Sequence, residues 1–161
     1  MIALFKPWIT KHCLEDLENI ITKGCLTEGE YSDWFEEKVS NYINNKNTAL
    51  TNSGTSALHL AGILSGIESG DEVITTAMTC MATNEPFYNM GAKLVFADID
   101  ITTGNICPES IRSKITEKTK AIVVVHWAGQ PAEIDEINNI AKEFNLKVIE
   151  DAAHAFGSSY K

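Results

Sequence analysis

Lys147-Val148-Ile149-Glu150-Asp151-Ala152-Ala153-His154 reads as an apolar strand that ends on two carboxylates and runs on into small residues and a histidine. It closes a series of short apolar runs, at 48–51, 72–76, 93–97, 121–126 and 147–151. Helical patterns separate them near 55–64, 83–90, 108–115 and 134–145, the last with Ile134, Ile137, Ala141 and Phe144 on one face. Strands alternating with helices are the mark of βαβ units, so the pattern predicts an α/β fold, a mostly parallel sheet with helices on both faces. In such sheets ligands bind beyond the carboxyl ends of the strands.

Upstream of that series the period is helical throughout. Cys13, Leu14, Leu17, Ile20 and Ile21 make one apolar stripe, with Gly24 where a left-handed cap would end the helix. Tyr31, Trp34, Phe35, Val39, Tyr42 and Ile43 make a second. No repeat, low-complexity tract or Pro/Gly/Ser linker interrupts the 161 residues, so the chain reads as one unit large enough to bury a substantial core.

Bulk properties narrow the function classes. The chain is 44% hydrophobic and 22% charged, and no apolar run approaches the roughly 20 residues needed to cross a bilayer. Met1–Phe5 and the residues after them lack a basic region, apolar stretch and cleavage site, so a soluble, cytoplasmic protein is expected. Cys13, Cys25, Cys80 and Cys107 are widely spaced with no CxxC pair, which favours free thiols over zinc or disulfides. A net charge of −9 repels a phosphate backbone, so nucleic acid is not an expected partner. Any anionic ligand must be held locally, as the amides of a helix N-terminus can do.

Two segments at predicted strand ends carry chemistry unusual for a core. Asn52-Ser53-Gly54-Thr55-Ser56 is a small, polar turn that opens a helix, where Gly54 lets a phosphate approach and Thr55 and Ser56 offer hydroxyls. The same residues suit an ordinary helix cap. The turn has neither GxGxxG nor GxxxxGK[ST]. In the second segment, Asp151 needs a partner to be tolerated at the end of an apolar strand. A protonated ring nitrogen would be one; capping or a Mg²⁺ ion are the alternatives, and neither explains His154.

An ordered set of motifs extends from about Leu26 to the end. Leu26-Thr27-Glu28-Gly29, Thr51-Asn52-Ser53-Gly54-Thr55-Ser56-Ala57-Leu58, Gly70-Asp71-Glu72-Val73-Ile74 and Gly91-Ala92-Lys93-Leu94-Val95-Phe96-Ala97-Asp98-Ile99-Asp100 come first. Thr119-Lys120-Ala121-Ile122, Val125-His126 with Gly129-Gln130-Pro131-Ala132, and Val148 to His154 follow. In this order they resemble the DegT/DnrJ/EryC1/StrS family of sugar aminotransferases, which depend on pyridoxal 5'-phosphate (PLP).

The resemblance implies a fold-type I PLP-dependent transferase large domain and a homodimer whose active site is built from two subunits. It implies that Ser53, Gly54 and Thr55 hold the cofactor phosphate, that Asp151 pairs with the pyridine nitrogen and that His154 bonds near the ring hydroxyl. Cys80 stands where family members commonly stack an aromatic residue on the ring. The Schiff-base lysine of the family lies a couple of dozen residues past the aspartate motif, so Lys161 matches a surface lysine and no catalytic residue is expected within 1–161. The chain is accordingly expected to be the N-terminal part of the large domain, truncated before the catalytic-lysine segment and the C-terminal small domain, inactive alone and prone to self-associate. The complete enzyme would move an amino group from glutamate to a nucleotide-linked keto-deoxysugar. Alternatives are a PLP-dependent sugar dehydratase of the same family and a non-catalytic remnant of the fold.

Overall fold

The computed structural model describes residues 6–24 and 26–161, so Met1–Phe5 and Cys25 lie outside the described residues. The chain divides into two compact units, one ending at Leu50 and the other running from Thr51 to Lys161.

The first unit holds α1 (His12–Lys23) and α2 (Glu30–Tyr42). Gly24 stops α1 as its stripe predicts: at φ +73° it takes the left-handed conformation that glycine adopts without penalty, and its N–H donates to the Ile21 carbonyl. Lys23 Nζ meets Glu30 Oε1 at 2.6 Å and Tyr31 donates to Asp16 at 3.3 Å, tying the two helices together. No residue of either helix is buried.

The second unit runs α3 (Gly54–Leu64), β1 (Glu72–Thr76), α4 (Met81–Asn89), β2 (Lys93–Ala97), α5 (Pro108–Ser113), β3 (Thr119–Val125), a 3-10 turn (Trp127–Gly129), α6 (Ile134–Phe144) and β4 (Lys147–Asp151). The strands form one sheet in the order β2-β1-β3-β4, every neighbouring pair parallel. From β1 the chain goes to one side to lay down β2, then returns to lay down β3 on the other. That reversal creates a crevice at the carboxyl ends of β1 and β3.

Side chains alternate across the sheet and divide the core in two. Val73, Ala121, Val123 and Ile149 pack with Leu58 of α3 and Phe87 of α4. Ile74, Ile122 and Val124 pack on the other face with Ile111 of α5 and Ile137, Ile140 and Ala141 of α6. Both faces are covered, which is why β3 reads as an unbroken apolar run rather than an alternating one. Burying each Val or Ile side chain contributes roughly 1.5–3 kcal/mol, enough for this double layer to dominate the stability of the unit. On the α3/α4 side the fit is close: a Cβ at Gly62 would stand 2.9 Å from Met90 Sδ and 3.1 Å from a Phe87 ring carbon.

The run at 48–51 is not a strand. Its polar groups are met locally: the Leu50 N–H by Glu36, the Thr48 hydroxyl by the Asn45 carbonyl and the Thr51 hydroxyl by the Ser53 carbonyl. β-propensity takes effect only beside a partner strand, and among the described residues this run has none.

Candidate functional site

β4 settles which carboxylate faces which way. Ile149 belongs to the core on the α3/α4 side, so Asp151, two residues on, projects to the same face, whereas Glu150 projects to the opposite one. There Glu150 Oε2 lies 2.8 Å from His126 Nε2. The acidic pair of the sequence is thus two single carboxylates with separate neighbours.

Asp151 opens into a cavity of about 540 Å³. Its walls are the first turns of α3 (Gly54, Thr55, Ala57, Leu58) and α4 (Cys80, Ala82, Thr83) with the end of β4. Of the residues singled out in the sequence, Gly54, Thr55, Cys80 and Asp151 therefore share one space, although 97 positions separate Gly54 from Asp151. The size lies in the range of small-molecule sites, roughly 300–1,000 Å³.

The α3 end of the cavity is built by capping. Ser53 is the N-cap in extended conformation, and its Oγ accepts from the Ser56 N–H at 3.1 Å. Ser56 in turn donates from its hydroxyl to Asn52 Oδ1 at 2.7 Å. Those bonds engage Asn52 Oδ1 and the hydroxyls of Ser53 and Ser56. The amides of Gly54 and Thr55, in the first turn, have no intrahelical acceptor, and with the positive end of the helix they form an anion seat. A Cβ at Gly54 would meet nothing within 4 Å, so the approach is open.

The Asp151 end is held by α4. Thr83, itself 1% exposed, donates from Oγ1 to Asp151 Oδ2 at 2.6 Å, and Asp151 Oδ1 accepts from the Ala153 N–H at 3.1 Å. Thr79 and Thr83 share a hydrogen bond of 2.8 Å between their hydroxyls. Asn84 anchors this turn to β1, its Oδ1 accepting from the Thr75 hydroxyl at 2.6 Å and its Nδ2 donating to the Thr76 carbonyl at 3.0 Å. Each carboxylate oxygen keeps a lone pair beyond these bonds, so Asp151 can still accept from a ligand. Thr83 is the residue that sequence reasoning missed; the one signal was the i, i+4 pair of threonines at a strand-to-helix junction.

Ser53 and His154 do not line the cavity. Ser53 sits at its rim with the hydroxyl committed to the cap. His154 is exposed and turned edge-on to Trp127, ring centroids 5.8 Å apart, and its carbonyl oxygen would be 2.9 Å from a Cβ at Gly129. That closeness, with φ +88°, requires glycine at 129. No lysine of the described residues lines the cavity. Lys161 pairs with Asp135 at 2.6 Å, and this carboxylate together with Tyr160 holds its ammonium above the usual lysine range. Cys13, Cys80 and Cys107 are free thiols. Among the described residues no three His, Cys, Asp or Glu side chains gather as a cation site, and no helix is long and apolar enough to cross a membrane.

The family model of the DegT/DnrJ/EryC1/StrS aminotransferases matches residues 7–161. The chain belongs to that family. It is 39% identical over 155 residues to the spore coat polysaccharide biosynthesis protein SpsC of Bacillus subtilis, covering 96% of this chain and 40% of that protein. Among solved structures, an aminotransferase from Psychrobacter cryohalolentis superimposes with a TM-score of 0.90 at 38% identity, covering 97% of this chain and 40% of that one. A putative sugar aminotransferase from Streptococcus pneumoniae, in its PLP form, gives 0.93 at 30% identity, with 99% and 45% covered. This DegT/DnrJ/EryC1/StrS chain therefore has the fold-type I architecture of PLP-dependent aminotransferases. It spans about two fifths of the length of the relatives it matches.

Proposed function

We propose that this chain supplies the PLP pocket of a sugar aminotransferase, which in its complete form transfers an amino group from glutamate to a nucleotide-linked keto-deoxysugar. The observation that carries the reading is the shared cavity: an anion seat at Gly54 and Thr55 and a hydrogen-bonded carboxylate at Asp151 line one space large enough for a phosphorylated pyridine. The donor set fits the cofactor, with amides for a dianionic phosphate and a carboxyl acceptor for a protonated ring nitrogen.

When bound, PLP supplies an electron sink for bond breaking next to the amino group. The chain's own residues bind and orient it. The α3 amides fix the phosphate, and Asp151 accepts the ring N–H and keeps that proton on the nitrogen. Cys80, at the N-terminus of α4, would pack softly over the ring, with less contact area than an aromatic residue. Ser53 shapes the phosphate seat through its cap, its Oγ holding the Ser56 amide, and His154 would stand near the ring hydroxyl. The amine that would hold the aldehyde covalently is assigned to the part of the relatives' length that this chain does not span, and the active site to a homodimer.

The test is a titration of this chain with PLP, followed by fluorescence, beside an assay of the complete protein for formation of 2-oxoglutarate from glutamate. Saturable binding that Asp151→Ala weakens at least tenfold, with amino transfer by the complete protein, supports the reading. Binding unchanged by Asp151→Ala, or a complete protein inert toward glutamate, contradicts it.

A further inference from the structure

We infer that Thr83 is a positioning residue for Asp151, the inner member of a hydroxyl relay from Thr79 through Thr83 to the carboxylate that fixes how the cavity reads a ring nitrogen. The inference rests on the PLP reading above and adds a residue and a mechanism to it.

The direction of the relay follows from valence. A carboxylate can only accept, so the single proton of the Thr83 hydroxyl is committed to Asp151 Oδ2 at 2.6 Å. The 2.8 Å contact between Thr79 and Thr83 must then be made by the Thr79 proton. Two hydroxyls in series polarise one another and strengthen the terminal bond. Thr83 is buried and its turn is pinned to β1 through Asn84, so the donor cannot wander. With Oδ2 held by Thr83 and Oδ1 by the Ala153 amide, both rotatable bonds of Asp151 are fixed and its free lone pairs have a set direction.

Thr79 itself is half-buried and lines a neighbouring groove of about 550 Å³ with Met81, Tyr88 and Phe96. The relay therefore runs from that groove to the cofactor cavity.

The experiment measures calorimetric affinity of the chain for pyridoxamine 5'-phosphate (PMP), whose amine cannot condense with surface lysines, and for its analogue with carbon in place of the ring nitrogen. Thr83→Val should weaken PMP binding about tenfold, the scale of one hydrogen bond to a charged group, and leave the carbon analogue unaffected. Thr83→Ser should restore PMP binding, Thr79→Val should show the same selective loss at a few-fold, and Thr83→Val should have no further effect on an Asp151→Ala background. Equal losses for both ligands, or no loss at all in Thr83→Val, overturn the relay. If Thr83→Val does not fold, Thr79→Val decides, and there too a loss that ignores the ring nitrogen is the contrary result. Failure of the PLP reading looks different: the wild-type chain binds no PMP, or Asp151→Ala binds it unchanged.

Discussion

His126 and Glu150 are joined across β3 and β4 on the face of the sheet opposite Asp151, His126 Nε2 standing 2.8 Å from Glu150 Oε2. The other ring nitrogen, Nδ1, accepts from the Ala132 N–H at 3.1 Å, so the imidazole carries its proton on Nε2 and donates it to the carboxylate. One buried ring thereby connects the end of β3, the loop after it and the strand that bears Asp151. His126→Leu leaves the Ala132 amide without its acceptor and should lower stability by about 2–3 kcal/mol in chemical denaturation. Glu150→Gln keeps an acceptor for Nε2 and should cost under about 1 kcal/mol, since Glu150 is half exposed.

Gly62 and Gly54 lie in the same helix and predict opposite outcomes. At Gly62 an added methyl meets Met90 Sδ at 2.9 Å and Phe87 at 3.1 Å, so Gly62→Ala should destabilise by about 1–3 kcal/mol through overpacking. At Gly54 the methyl meets nothing within 4 Å, so Gly54→Ala should leave the thermal midpoint within a degree or two. A fall in PLP affinity of Gly54→Ala with unchanged melting would then report the phosphate seat alone.

How much of this was legible in the sequence depended on whether a residue's role is set by its own neighbours in the chain. β1, β2 and β4 have the predicted bounds, and Gly24 ends α1, because period and cap chemistry are local. The run at 48–51 shares the composition of a strand, but a strand exists only by pairing, which the run does not encode. The family resemblance singled out Asp151, but the opposite facing of Glu150 follows only from sheet parity, with Ile149 on the side of α3 and α4. Thr83 stayed hidden because its partner lies 68 residues away, and His154 reads as a site residue from its motif while its ring turns to Trp127.

Glu72 gives the fold a pH dependence. It is buried at the start of β1, where Lys93 at 2.8 Å and the Thr116 hydroxyl at 2.6 Å hold its carboxyl below the usual glutamate range. A depressed value in the folded state means that the unfolded chain takes up the proton first as acid is added. The stabilisation is complete above the ordinary glutamate value, about 4.3, and disappears as pH falls through the lower folded value. Thermal midpoints of the wild type should drop more steeply than those of Glu72→Gln between pH 5 and 3, while at pH 7 the variant should melt lower.

The most direct measurement is a crystal structure of the chain with PMP bound. The phosphate should rest on the Gly54 and Thr55 amides and the ring nitrogen within hydrogen-bond distance of Asp151. A ring turned so that its nitrogen faces away from Asp151, or PMP bound outside the cavity between α3, α4 and β4, would contradict the account.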